Sequence, residues 1–315
     1  MRRPDERGVA LLLALLVLAL LVALILEFDA EARREYRDAA AFRDNFKATV
    51  LTRAAVQAAK AVLQQDFLRD KQTGQLYDAP TDLWAFPIEK YAIGDGLLTA
   101  QIEDERGKLN LNDLAAGGDL NARKTKILRI KRLFELLQIN PDLVDGIVDW
   151  VDADDVPEAA GAETLYYQSL RPPYRAANAP LQTVRELRLI KGMTPEIVEK
   201  LLRYVTVYPL QGEGKININT ADAFVIQALD PAVTQSMAAE IIQARPIKNV
   251  VDLDQIASAK ETFARLRLPP VYDVKSNLFS ARMTLTVGET TKSGAVVLQR
   301  DEATGNSTIQ YFRLL

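Results

Sequence analysis

The sequence predicts an α+β protein with a long N-terminal helix, an antiparallel sheet, and a large all-helical domain inserted between strands of that sheet. Three observations carry this reading. An unbroken apolar run, Val9–Leu26, opens the chain after a short polar start. The stretch from Glu27 to Phe67 that follows is rich in alanine and free of glycine and proline. Finally, β-rich segments before residue 112 and after residue 270 bracket sequence of helical period.

Met1–Gly8 reads MRRPDERG, and Val9–Leu26 reads VALLLALLVLALLVALIL. Eighteen helical residues at ~1.5 Å each span about 27 Å, close to the hydrocarbon thickness of a bilayer. Arg2, Arg3 and Arg7 precede the run, and Glu27, Asp29 and Glu31 follow it. That asymmetry predicts a cytoplasmic N-terminus and an extracytoplasmic remainder. A cleaved secretory signal is disfavoured, because the EFDAEARREY after Leu26 offers no small-residue cleavage site and is already charged and helical. A plain signal anchor and a chain cut at Gly8 both stay open on these residues.

From Glu27 the aromatic and aliphatic residues Phe28, Tyr36, Phe42, Phe46, Val50 and Leu51 fall near helical spacing, so residues 27–67 extend the apolar segment as an amphipathic spine. Gly74, Pro80 and Pro87 break the period. Leu97–Leu111 alternates like strand, with a turn at Glu105-Arg106-Gly107. Residues 113–269 read as helices joined by short loops, including TKILRIKRLFELLQI, PDLVDGIVDWV, and a helix–hairpin–helix with Gly192 at the bend and Thr194-Pro195 at the next helix start. After Pro269-Pro270 the runs VYDVKSNLFSARMTLTVGE, GAVVLQRD and STIQYFRLL are β-rich. The expected organisation is a leader at 1–8, a transmembrane segment at 9–26, the spine at 27–67, a sheet domain from 68–112 and 270–315, and an inserted helical domain at 113–269. Along the chain, Gly107–Asn112 (GKLNLN) and Gly214–Asn219 (GKININ) nearly match. They mark either two related halves or a local coincidence of helix-capping asparagines.

Composition narrows the chemistry. With no histidine and no cysteine, the commonest general base, thiolate nucleophiles and transition-metal ligands are missing. No catalytic constellation is expected, and a bound metal would use oxygen ligands. A formal charge of −3 gives no electrostatic reason to expect nucleic acid. Asp149, Asp152, Asp154 and Asp155 crowd into DWVDADDVP, with Glu158 and Glu163 close behind. Such carboxylates repel one another unless solvated or bound to a cation, and Ca²⁺ tolerates irregular loops. The EF-hand pattern is absent, and a solvated acidic loop is the plainer alternative. Trp150, Tyr166, Tyr167 and Tyr174 read as packing residues.

Two resemblances sharpen this. RG followed by VALLLALLVLALL resembles the class III leader of type IV pilins and type II secretion pseudopilins. That implies cleavage by prepilin peptidase between Gly8 and Val9, and N-methylation of Val9. Most members of that group carry glutamate at the fifth mature position, where this chain has Leu13. A carboxylate at bilayer depth costs about 2.5–3.5 kcal/mol unless paired, and in the family it is thought to pair with the amine of the subunit above. Leu13 therefore suits a subunit with nothing above it, although a membrane protein with no filament role fits it equally.

VDWVDADDVPEAAGAETLYYQSLRPPYRAANAPLQTVREL, with IEDERGKLNLNDL before it and GKININTA after it, is similar to the type II secretion system protein K family, the large minor pseudopilins. The match runs along essentially the whole chain. It implies a pilin-like fold with an inserted helical domain, and calcium held by Asp152, Asp154 and Glu163, with Asp149 and Asp155 as further candidates. Thr164 stands where the family commonly has another carboxylate. The implied role is at the tip of a pseudopilus, with two smaller minor pseudopilins and an inner-membrane secretion platform as partners and the globular part in the periplasm. A rival resemblance links KININTADAFVIQALDPAVTQSMAAEIIQARP to the helix-hairpin-helix, SAM-like modules of DNA-uptake proteins. The hairpin here, Leu229–Val233, lacks glycine and carries Asp230, which is poor chemistry for phosphate.

Overall fold

A computed structural model describes residues 6–115, 120–211 and 214–314, so Met1–Asp5 of the expected leader lie outside the described residues. Helix α1, Glu6–Thr73, runs without a break through both the apolar run and the spine. Nothing between Gly8 and Thr73 disfavours helix, and the helix passes the expected end near Phe67 by almost two turns. It stops at Gly74, whose φ of +73° is the left-handed cap conformation. Gln75 N then donates to Asp70 O at 3.0 Å, the six-to-one closure of a Schellman cap. One helix near the N-terminus is thus long and apolar enough to cross a membrane, and its apolar window is bare of protein contacts.

Five antiparallel strands form the sheet, in the order β1 (Ile88–Ile93), β2 (Gly96–Asp104), β7 (Leu278–Val287), β8 (Thr290–Arg300) and β9 (Ser307–Leu314). Strand β1 was not foreseen: Pro87, Lys90 and exposed residues on both faces hide the alternation that marks the others. The C-terminal half of α1 lies across β7 and β8. Ala48, Ala55, Val56, Ala59 and Leu63 pack there on Phe279, Met283, Leu285, Val296 and Leu298. Alanines on the helix and Gly294 on the strand permit close approach, since a Cβ at Gly294 would fall 2.9 Å from Thr52 Cγ2.

The insertion leaves the sheet after β2 and returns before β7. Its ends are adjacent because β2 and β7 are paired, with Asp104 opposite Phe279. Buried Asp104 knots the ends together. Its carboxylate accepts from Arg106 N (2.7 Å), Asn217 Nδ2 (2.8 Å), Thr220 Oγ1 (2.7 Å) and Ser276 Oγ (2.5 Å).

Inside the insertion the two GK-x-N-x-N segments are a structural repeat. The first carries β3 (Leu109–Asn110), which pairs in parallel with β4 (Val205–Thr206). The second carries β5 (Ile216–Asn217), which pairs in parallel with β6 (Tyr272–Asp273). Asn112 clamps residue 181, its Oδ1 accepting from Leu181 N at 2.8 Å and its Nδ2 donating to Leu181 O at 2.9 Å. Asn219 clamps Ile247 in the same way, at 2.7 and 2.9 Å. Each clamped residue leads into a 3₁₀ turn closed by a capping box, Thr183 with Glu186 and Asn249 with Asp252.

The helices between are α2 (Leu120–Leu136), α3 (Leu143–Val151), α4 (Thr164–Gln168), α5 (Pro195–Leu201), α6 (Ala223–Ala228), α7 (Gln235–Gln243) and α8 (Lys260–Arg265). Thr194, Asp222 and Thr234 cap α5, α6 and α7 with their side chains. The stretch before Gly192, expected as α-helix, is a 3₁₀ turn over Val184–Leu189. Gly192 itself takes φ +79° at the bend.

Candidate functional site

The acidic residues are arranged by α3 and the loop that leaves it. Val144, Ile147, Val148 and Val151 face the core of the insertion. The i, i+4, i+7 spacing then brings Asp145, Asp149 and Asp152 onto one side of the helix. Asp152 caps its C-terminus, donating its N–H to Val148 O at 3.0 Å. Two carboxylates in the last turn sit at the negative end of the helix dipole, where a cation would be favoured.

The chain then loops through Asp154 and Asp155 and returns to Glu163, which precedes α4. Asp145 and Asp149 hold the loop through hydrogen bonds, and Asp149 keeps its second oxygen, Oδ2, buried without a donor. Asp145 Oδ2 accepts from Ala160 N at 3.2 Å, and its Oδ1 lies 2.7 Å from Lys131 Nζ. Asp149 Oδ1 accepts from Glu158 N at 2.9 Å. Gly161 makes room for that fully buried carboxylate, since a Cβ there would fall 1.8 Å from Asp149 Oδ2.

Asp152, Asp154 and Glu163 come together, each offering a carboxylate oxygen within 4.8 Å of the others. Asp149 and Asp155 do not belong to that set. Asp155 instead accepts from Asn178 Nδ2 at 3.3 Å. Glu163 is 6% exposed, and neither of its carboxylate oxygens has a hydrogen-bond donor. Asp152 Oδ2 takes Arg123 Nη2 at 2.7 Å, while its Oδ1 is buried without a donor. Burial, then the charges of Asp149, Asp152, Asp155 and Asp154, pushes the Glu163 carboxyl up to about 7. Burial also raises Asp152 and Asp149 above the ordinary carboxylate range.

Buried carboxylate oxygens without donors carry a desolvation cost that a cation would remove. The residues present therefore fit a hard, oxygen-seeking ion such as Ca²⁺. One further oxygen escaped the sequence reading. Asn178 takes φ +43° and donates to Asp154 O at 2.9 Å, which leaves its Oδ1 buried without a donor beside the same loop. Its only sequence signal is the RAAN segment, which lies inside the stretch similar to the family. The aromatics pack below the loop: Trp150 and Tyr167 meet edge to face at 5.2 Å, and Tyr167 stacks on Tyr174 at 5.2 Å. Tyr166 is the exception, exposed with Lys191 Nζ 5.3 Å from its ring centre.

At the hairpin that resembles a DNA-binding module, Asp230 pairs with Arg265 at 2.9 Å. The hairpin's carbonyls are taken up by Arg129 on Leu229 O and by Arg132 on Pro231 O and Val233 O. It presents a carboxylate where phosphate would need amide donors.

A long helix, bare and apolar at its N-terminal end and laid across an antiparallel sheet at the other, is a pilin-like architecture whose apolar end is consistent with a single-pass membrane anchor. Residues 107–210 and 216–280 match two family models, both described as Type II secretion system (T2SS), protein K. The Type II secretion system protein K of Klebsiella pneumoniae is 32% identical over 95% of this chain and 94% of its own length. That of Pectobacterium carotovorum subsp. carotovorum is 28% identical over 91% and 90%. In the crystal structure of the GspK-GspI-GspJ complex from enterotoxigenic Escherichia coli, GspK superposes with a TM-score of 0.73 at 21% identity, covering 87% of this chain and 97% of that one. The chain belongs to the type II secretion system protein K family, whose members are minor pseudopilins. Nothing in these likenesses supports the DNA-uptake alternative.

Proposed function

We propose that this chain is the tip subunit of a type II secretion pseudopilus, initiating or capping its assembly for the export of folded proteins, with no catalytic activity of its own. The observation that carries the reading is the continuous α1, whose apolar end has Leu13 where a filament-embedded subunit would carry a carboxylate. Leu13 is 56% exposed on that bare segment and asks for no charged partner from above. The large insertion, which leaves and returns at the paired inner strands β2 and β7, adds bulk that a regular lattice of subunits would not accommodate.

In this reading residues 1–8 are a leader removed by prepilin peptidase at the Gly8–Val9 bond. Val9–Leu26 spans the inner membrane, and everything after it lies in the periplasm. The related GspK was crystallised with GspI and GspJ. Two smaller minor pseudopilins are accordingly the expected partners here, docked along the exposed spine with Phe42 and Phe46 uncovered. The inner-membrane platform would supply the site of assembly. Asp152, Asp154 and Glu163 would hold a structural Ca²⁺, whose charge neutralises their repulsion and whose binding free energy adds to the folded state.

The test is the mass of the mature protein from cells with and without prepilin peptidase. A chain that starts at Val9, and does so only when the peptidase is present, supports the reading. An intact Met1, or a start beyond Leu26, removes it.

A further inference from the structure

A second group of carboxylates lies far along the chain from the acidic loop, where α1, the connection to β1 and the sheet meet. Asp66 and Asp70 stand one turn apart near the end of α1, and Asp78 and Asp82 stand on the connection that follows. One carboxylate oxygen from each of the four lies within 4.8 Å of the others. Ligands around Ca²⁺ sit at about 2.3–2.6 Å from the ion, so four oxygens this close can share one.

Most of the nearby donors are already used. Asp66 Oδ1 accepts from Leu83 N at 3.2 Å. Asp82 takes Ala79 N at 2.7 Å and Gln75 Nε2 at 3.0 Å. Asp78 takes Ser276 N at 2.7 Å and Arg300 Nη2. What remains are the carboxylate of half-buried Asp70 and the second oxygen of Asp66, Oδ2. Asp66 is 2% exposed, and this oxygen has no hydrogen-bond donor. Arg300 Nη1 stands 3.6 Å from it, an ion pair that makes no hydrogen bond. Arg300 is the only buried cation among the described residues facing the group, and it pairs with Asp66 and Asp78, not with Asp70 or Asp82.

We propose that Asp66, Asp70, Asp78 and Asp82 form a second divalent-cation site, taking Ca²⁺ through carboxylate oxygens and distinct from the Asp152–Glu163 site. The ion would join the last turns of the spine helix to the connection leading into the sheet, beside Arg300 at the end of β8. The inserted domain is anchored at the same place. Asp78 N donates to Val274 O at 2.9 Å, and Asp78 O accepts from Asn217 Nδ2 at 3.0 Å. A filled site would therefore fix spine, sheet and insertion relative to one another. Burial followed by neighbouring carboxylates raises Asp66 to about 6 and Asp70 to about 7, the signature of a group short of positive charge.

The two tryptophans of the chain separate the two sites. Trp84 lies two residues after Asp82, next to Leu83 whose N–H binds Asp66, whereas Trp150 lies between Asp149 and Asp152. Terbium, a luminescent stand-in for Ca²⁺, is titrated into the detergent-solubilised full chain with tryptophan excitation. In a W150F chain, Trp84-sensitised emission is expected, displaced by Ca²⁺, unchanged by Asp152→Asn and lost in Asp70→Asn. Asp70 is half-buried, so circular dichroism can verify that this variant keeps its fold, and Asp66→Asn serves as the second variant. Absent emission in W150F, as from a site holding only water and shared protons, overturns the proposal. So does emission that survives both substitutions.

Discussion

Replacing Glu163 by glutamine separates a cation site from a merely acidic loop, because the two readings differ in sign. Both Glu163 carboxylate oxygens are buried without a donor and face the charges of Asp149, Asp152, Asp154 and Asp155. Without a cation, the uncharged glutamine removes repulsion and can donate its amide to a neighbouring carboxylate, so the variant should be at least as stable as the parent chain in chelator. With calcium the order reverses. At a free concentration a hundredfold above the dissociation constant, one bound ion stabilises the parent by about 2.7 kcal/mol. If loss of a charged ligand weakens binding a hundredfold, the variant gains only ~0.4 kcal/mol under the same conditions. The difference of roughly 2.3 kcal/mol corresponds to about 5–9 °C in melting temperature for a domain of this size. Melting curves of both chains, with chelator and with saturating calcium, measure it directly. A variant less stable than the parent in chelator, or a calcium shift equal in the two chains, would refute the argument.

Three further outcomes follow from the same contacts. Gly161→Ala drives a methyl group into Asp149, whose carboxylate must move and release Glu158 N; overpacking and the lost charged hydrogen bond should together cost about 2–5 kcal/mol in chemical denaturation. Asn112→Ala and Asn219→Ala each strip a buried two-way clamp, so both should cost roughly 2–4 kcal/mol, and an effect below ~1 kcal/mol for either would show that its clamp is dispensable. In chelator the melting temperature should fall as pH rises from about 4.5 to 7. Glu163, raised to about 7 mainly by burial, holds a proton in the folded chain that the unfolded chain releases near its ordinary value, and Asp66 and Asp70 act in the same direction. Calcium should flatten or reverse that slope, since it binds the deprotonated form.

Much of this molecule could be read from its sequence, and the parts that could not have physical reasons. The spine was legible because nothing between Gly8 and Thr73 competes with helix, although its end was placed six residues early: Phe67 is the last aromatic, but Gly74 is the first residue able to take the capping conformation. Strands β7, β8 and β9 showed through alternation and turns, whereas β1 has no buried face to impose a period of two. Asp152, Asp154 and Glu163 were nominated through family likeness, and spacing alone would not have separated them from Asp149 and Asp155. That separation depends on which oxygens the backbone of residues 158–162 already uses, a fact of three-dimensional closure. Asn178 was invisible for the same reason. The four carboxylates from Asp66 to Asp82 attracted no notice because a helix end and a loop divide them in sequence, and only the Schellman turn at Gly74 folds the second pair back onto the first.

The paired asparagine clamps bear on how such a domain can change over evolutionary time. Asn112 reaches across 69 residues to its partner, and Asn219 across 28. Closing the longer span costs only about 0.8 kcal/mol more in chain entropy, because that cost grows with the logarithm of length. The two halves therefore keep one frame while one of them houses 41 additional residues, among them the whole acidic loop. A duplicated scaffold of this kind lets one copy remain plain architecture while its twin accumulates new chemistry, at a thermodynamic penalty small enough for selection to overlook.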